Sequence, residues 1–236
     1  MTPAAPPIRA RLARALPASV DPAAAAALAR WIELVASWNA RVDLTAARGD
    51  DELVDLMVAD AVILAAHLPA GRRVIDVGSG AGAPGLPLAI LRPDLQVTLA
   101  EPLQKRVAFL RTAIGTLLQA GAPLATAPRV ERARGEELVR GGRSFDAAIS
   151  RATLPPDAWL ELGAALTATS AAGVAAERAD EAREVWVLLA REPPPARAGW
   201  RVTTDLRYPW PLTHVERRAV RFSPFPLTPL TPEDAA

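Results

Sequence analysis

The hydrophobic positions divide the chain into two regimes. Between residues 21 and about 70 they recur every three or four residues. Leu28, Trp31, Ile32, Val35 and Trp38 share one helical face, and Leu53, Leu56, Met57, Ile63 and Leu64 share another. Asp21-Pro22 supplies a cap and a favoured first-turn proline for the first helix, and the alanines 23–27 propagate it. The second helix starts after Asp50 or Asp51 and stops near Pro69-Ala70-Gly71. Two helices therefore precede any strand.

From residue 73 the pattern changes to short apolar runs separated by helical segments. Arg73–Val77, Gln96–Ala100, Arg129–Arg132, Phe145–Ile149 and Gly173–Ala176 read as strands. Gly85–Leu91, Leu103–Gln119 (closed by Gly121), Glu136–Val139, Pro156–Leu166 and Asp180–Leu189 read as helices. Trp200–Leu206 and Val215–Phe222 close the pattern as strands. Alternating strands and helices predict an α/β fold with a mostly parallel sheet flanked by helices. The predicted organisation is an N-terminal two-helix segment, 1–70, packed on an α/β domain, 71–223. A proline-rich tail, 224–236, is predicted to be loop or disordered.

Composition narrows the chemistry. Half of the 236 residues are hydrophobic and the formal net charge is +1, so the chain can bury a core and charge alone does not mark a nucleic-acid binder. Cysteine is absent, which removes disulfides, thiolate metal sites and thiol nucleophiles and fits a reducing, cytoplasmic setting. His67 and His214 are the only histidines and lie far apart in sequence, so no metal site is expected. No apolar stretch reaches the ~20 residues a bilayer requires. Arg9, Arg11 and Arg14 punctuate an N-terminus without the apolar core of a secretory signal, leaving a basic arm for phosphates or a solvated terminus. Lys105 is the single lysine; Ala, Arg and Pro are enriched together, as biased base composition would produce.

The most informative run is Asp76-Val77-Gly78-Ser79-Gly80-Ala81-Gly82-Ala83-Pro84-Gly85, lying between a predicted strand and a predicted helix. Glycines there let the backbone approach a ligand beyond the carboxyl ends of parallel strands. Gly78-x-Gly80-x-x-Ala83 fits a dinucleotide loop, with Glu101 closing the second strand as a ribose acceptor. Asp76, two residues before the first glycine, resembles instead the D/E-x-G-x-G-x-G signature of Rossmann-like class I methyltransferases, where the acid sits beside the methionyl part of S-adenosylmethionine (AdoMet). An NAD-dependent oxidoreductase is the rival reading. It lacks a Tyr-x-x-x-Lys proton donor, since Tyr208 is the only tyrosine and lies far from Lys105.

The absent cysteine also excludes methylation at a pyrimidine carbon through a thiol adduct. After the fourth predicted strand stands Ser150-Arg151-Ala152-Thr153 rather than the Asn/Asp-Pro-Pro-aromatic run associated with adenine amino methylation. A ring nitrogen that needs no general base fits best.

Five segments, in order, resemble those of one family: Trp38-Asn39 with Asp43-Leu44-Thr45; Asp76 to Ile90; Lys105-Arg106 with Phe109-Leu110; Arg134 to Glu137; and Ile149 to Ala152. Over about half its length the chain is similar to the RsmG (GidB) family, bacterial methyltransferases acting on N7 of a guanosine in 16S ribosomal RNA. The resemblance implies AdoMet as cofactor and 16S rRNA or a small-subunit precursor as partner, with a monomeric, cytoplasmic enzyme and no metal or membrane. It places Asp76, Gly78, Gly80, Gly82 and Ala83 at the cofactor, Glu101 on the ribose hydroxyls, Gly135 and Glu136 at the adenine edge, and Arg151 at the reaction centre as the catalytic candidate. The chain departs from the family at Asp43 (Asn), Leu56 and Met57 (Arg and His), Thr153 (an aromatic) and Glu177-Arg178 (Lys-Gly), while Asp60 is kept. These departures leave the cofactor half intact and fall on the RNA half, so an AdoMet-binding module that has lost RNA methylation is the second alternative. Trp31 and Trp38 read as core rather than as base-stacking platforms. Lys105 and Arg106 suit RNA contact or a surface ion pair equally, and Arg217, Arg218 and Arg221 read as exposed.

Overall fold

The computed structural model describes residues 7–168 and 183–225. Three helices come first: α1 (Ile8–Ala15), α2 (Pro22–Val42) and α3 (Asp50–His67). Asp21 caps α2 through its carboxylate, which accepts from the amides of Ala23 and Ala24 at 2.8 and 3.2 Å. The chain then alternates β1 (Arg73–Val77), α4 (Gly85–Leu91), β2 (Gln96–Ala100), α5 (Gln104–Gln119), β3 (Arg129–Glu131), α6 (Gly135–Arg140), β4 (Ala147–Arg151) and α7 (Pro156–Leu166). It ends on β5 (Glu184–Leu189), β6 (Trp200–Pro209) and β7 (Glu216–Pro224).

The seven strands form one sheet in the order β3-β2-β1-β4-β5-β7-β6. The first five are parallel, and β7 runs antiparallel to both β5 and β6. The strand order reverses between β1 and β4, and in a Rossmann-like sheet that switch point opens a crevice beyond the strand ends. The buried residues form a cluster on each side. Val74, Leu99, Ile149 and Trp186 pack with α2 to α5 in one, while Ile75, Ala148 and Val185 pack with Leu138 of α6 and Trp159 and Leu160 of α7 in the other. Neighbouring strand residues thus face opposite layers, as a sheet covered on both faces requires.

Several expectations need correction. Three helices, not two, precede β1: α1 forms because Leu12 and Ala15 bury one face and Arg11 packs against α3, with its guanidinium beside Asp50 and Asp51. Residues 184–189, read from sequence as the end of a helix, are the strand β5. The continuous apolar run Val185-Trp186-Val187-Leu188-Leu189 fits a slot paired on both sides, by β4 and β7, better than an amphipathic helix. The proposed strand 173–176, the onset of the proposed helix at 180–182 and Glu177-Arg178 lie outside the described residues. β4 is displaced two residues towards the C-terminus of its predicted span, which carries Arg151 into the strand. Nor are the arginines of β7 simply exposed: Arg218 pairs with Asp205, Arg221 with Glu184, and the Arg217 guanidinium lies 3.9 Å from the centroid of Trp210. β7 itself runs through Pro224, into the expected tail, and 226–236 lie outside the described residues.

Candidate active site

The glycine loop leaves β1 and turns over the end of β2. The Gly78 and Ser79 amides both donate to the carbonyl of Ala100, at 2.8 and 3.1 Å, so the loop is fastened to the neighbouring strand. Gly78 adopts φ +72°, and a Cβ there would collide with the Thr153 side chain. Thr153 is itself held by hydrogen bonds of its hydroxyl to Ser150 Oγ and the Val77 carbonyl. Gly80 and Gly82 also have positive φ. The Gly82 position faces Leu86 and Leu110, inside the loop's packing rather than towards its ligand side.

Asp76 lies behind the loop. Its side chain is 1% exposed; Oδ2 accepts from the Gly85 amide at 2.9 Å, and Oδ1 is buried with no hydrogen-bond partner among the described residues. Burial dominates its titration and pushes it up to about 7, against the opposing effects of the Gly85 amide, Arg151 and Ser79. Glu101, 2% exposed, ends β2 and clamps the mouth of the loop: Oε2 accepts from the Gly80 amide and Oε1 from the Leu103 amide, each at 2.9 Å.

These elements enclose a cleft of about 490 Å³, within the roughly 300–1,000 Å³ usual for small-molecule sites. Of the expected site residues, Gly78, Gly80, Ala83, Glu101 and Arg151 line it together. Asp76, Gly82, Gly135 and Glu136 do not. Gly135 starts α6 packed against Leu162 and Val77, Glu136 is exposed, and the cleft wall there is Arg134. The opposite wall comes from the N-terminal helices. Asn39 Oδ1 accepts from the Leu44 and Thr45 amides, both at 2.8 Å, and its Nδ2 donates to the Thr45 carbonyl, so one side chain shapes the turn that presents Leu44 and Thr45 to the cleft. Asp43 sits in that turn with φ +52°, a left-handed conformation that Asp and Asn both tolerate. Its departure from the family's Asn therefore keeps the turn.

Residues 24–182 match the family model GidB, "rRNA small subunit methyltransferase G". The chain belongs to this family. A protein of Anaeromyxobacter dehalogenans (strain 2CP-C) named ribosomal RNA small subunit methyltransferase G is 38% identical over 155 residues, covering 66% of this chain and 70% of that one. A protein of the same name from Anaeromyxobacter sp. (strain Fw109-5) is 36% identical over 185 residues, covering 75% and 83%. One from Nitrosomonas europaea is 39% identical over 127 residues, covering 53% and 55%.

This GidB-family chain carries a further constellation around Arg151 that the sequence motifs did not expose. The Arg151 guanidinium donates to the Leu56 carbonyl and to Asp60 Oδ2, the latter at 3.1 Å. Asp60, 2% exposed, accepts from the Tyr208 hydroxyl at 2.8 Å and faces Trp210 Nε1 at 3.5 Å. Burial, then Asp60, pushes the Tyr208 phenol up, so it stays protonated and donates. Asp60 was visible in sequence only as a retained family residue; Tyr208, 148 positions away, gave no signal. Leu56 and Met57 line the cleft as apolar wall in place of the family's cations, and Arg106, anchored on the Asp43 carbonyl, adds a cation to its edge. Lys105 is exposed. Trp31 and Trp38 are core residues: Trp31 is fully buried with Nε1 donating to the Ala81 carbonyl, and Trp38 meets Phe109 edge-on. Among the described residues no group of acidic or histidine side chains is arranged for a metal, and no helix is long and apolar enough to cross a membrane.

Proposed function

We propose that this chain methylates N7 of a guanosine in 16S ribosomal RNA, using AdoMet, as a monomer in the cytoplasm. The observation that carries the reading is the cleft in which the Gly78–Ala83 loop, Glu101 and Arg151 converge, in a chain that belongs to the GidB family. The residues present fit the cofactor. Gly78, Gly80 and Ala83 line the cleft with little or no side chain, and the buried Glu101 carboxylate retains acceptor capacity on both oxygens for a pair of ribose hydroxyls. The Arg134 side of the cleft, with Gly135 and Glu136 behind it, takes the adenine edge. Asp76 acts from behind, fixing the loop through Gly85 and placing a buried carboxylate near the cationic methionyl part. Bound AdoMet supplies a methyl group on a sulfonium, which an unprotonated ring nitrogen accepts while sulfur keeps the bonding electrons.

What the protein must do is therefore mostly positioning and exclusion of water. Leu44, Leu56 and Met57 supply an apolar wall that keeps water from the reacting atoms. Arg151 is held by two acceptors on α3, so its guanidinium has little freedom beside the reaction centre. No group in this cleft is required to remove a proton, since N7 carries none.

The test is to incubate the protein with AdoMet and 16S RNA or small subunits lacking the modification, then analyse nucleosides by mass. One 7-methylguanosine per RNA is the expected result. Selective calorimetric binding of AdoMet with no methyl incorporation would leave only the cofactor-binding module, and binding of NAD in its place would overturn the reading.

A further inference from the structure

Beside the cofactor cleft lies a second cavity, of about 240 Å³, which the proposed function leaves without a role. The two share Leu56, Arg151 and Ala152, so they meet at the reaction centre. The second cavity runs from that junction along the ends of β4 and β5 to the hairpin β6–β7. Trp159, Tyr208 and Trp210 give it aromatic walls, and Arg217, stacked on Trp210, adds a half-buried cation. Its far wall is Val187 to Ala190 and Glu192, none of which lines the neighbouring cleft. Half of the lining residues, Glu192, Tyr208, Trp210 and Arg217 among them, lie beyond the 24–182 span matched to the family, so the family motifs say nothing about those.

Glu192 is the informative side chain. Its Oε2 accepts from the amides of Ala190 and Arg191, both at 3.0 Å, which fixes the carboxylate on its own turn. Glu192 is an exposed residue lining the cavity. Its own backbone amide, together with those of Ala190 and Arg191, holds Glu192 below the usual glutamate range, so it is ionised and purely an acceptor at neutral pH. An aromatic slot with a fixed acceptor at one end and the methyl-transfer junction at the other suits a flat heterocycle with donors on one edge and a bare nitrogen on the opposite edge. Guanine has that form: N1–H and the 2-amino group lie across the ring system from N7.

We propose that this cavity is the acceptor-base pocket, taking one guanine turned out of its RNA strand with N7 at Arg151 and the Glu192 carboxylate accepting from N1–H and the 2-amino group. The inference rests on the proposed guanine-N7 activity and adds the residues that select the base. Turning a base out costs a few kcal/mol, least where it is already unpaired, and stacking between aromatic walls offsets that cost. Arg217 supplies charge for the flanking phosphate. Adenine, with an acceptor at N1 facing the carboxylate, is rejected.

Two variants test it, each measured for AdoMet binding by calorimetry and for methyl transfer to unmodified 16S RNA. Glu192→Gln is expected to keep AdoMet affinity within about twofold and to lower kcat/KM at least about tenfold, the effect of losing a charged acceptor. It is also expected to narrow the discrimination between guanosine and inosine at the target position, because inosine lacks the 2-amino donor. Leu188→Trp fills the cavity from β5 and is expected to abolish transfer while AdoMet still binds, which also reports that the variant is folded. Unchanged kcat/KM and unchanged inosine discrimination in Glu192→Gln would overturn the pocket while leaving the guanine-N7 reading intact. A wild-type protein that binds AdoMet but places no methyl on guanine would remove both.

Discussion

At the scale of single residues, the glycine loop works because of what lies behind it. Gly78 is required twice over, by its positive φ and by the Thr153 side chain where a Cβ would be. Gly78→Ala should therefore cost AdoMet affinity at least about fivefold through strain of roughly 1–3 kcal/mol, measured by calorimetry. Asp76 makes a pH-dependent prediction. Its folded pKa, about 7, lies above the ordinary 3.8 because burial opposes the charge. The native state then binds more protons than the unfolded chain between those values, so the Asp76 contribution is fully present below pH 4 and is lost as pH rises through 7. Asp76→Asn cannot ionise, so the melting temperature of the wild type should fall relative to this variant as pH is raised from 4 to 8. Parallel curves would show that Asp76 is charged in the fold throughout. The sequence marked both residues, since glycine and acid stand at fixed offsets in one short window. It could not show that Asp76 faces Gly85 rather than the open cleft, which depends on how β1 and α4 meet.

At the scale of elements, α3 organises the site by gripping a hairpin far away in the chain. Asp55, fully buried, accepts from the Leu212 amide, the Thr213 amide and the Thr213 hydroxyl, and one turn later Asp60 accepts from Tyr208 and Arg151. These two carboxylates add to the apolar packing of α3 against Tyr208, Trp210 and Leu212, and Asp55 finds its partners only when the β6–β7 turn is in place. Asp55→Ala strands three donors and should destabilise by about 2–3 kcal/mol, lowering the denaturant midpoint without changing the m-value. An unchanged midpoint would mean that water replaces the carboxylate. No sequence motif marks Asp55, because its partners are over 150 positions away. Arg11 is similar: three arginines near the N-terminus suggested a loose arm, whereas its guanidinium ties α1 to the start of α3.

At the scale of the whole molecule, the N-terminal helices and the sheet are not separable. One hydrophobic cluster runs from Leu12 and Trp31 through Leu64 to Val74, Leu99 and Trp186, and Trp31 also donates to the glycine loop. The boundary placed near residue 70 from the change in pattern marks a change of element type inside a continuous core. Thermal unfolding should accordingly be a single transition, with calorimetric and van't Hoff enthalpies equal. A chain begun at residue 71 should fail to fold, because its sheet face would expose the surface that α2 and α3 cover. Two resolved transitions would instead establish independent domains.

The sequence by itself determined what is local: the cap of α2, the helical periods of α2 and α3, the strand–loop–helix around Gly78, the acid at the end of β2, and the family motifs from Trp38 to Ala152. Each is written in a window shorter than about 20 residues, where backbone propensity and side-chain spacing act directly. Only the tertiary structure decided that residues 184–189 are a strand, that Asp60 joins Arg151 to Tyr208, and that a second cavity opens beside the cleft of the glycine loop. An apolar run suits a buried strand or a buried helix equally until its neighbours are known, and β4 and β7 supply them here. A carboxylate 148 residues from its phenol leaves no trace in any short window. Such contacts are set by sheet order, and sheet order is a property of the packed chain.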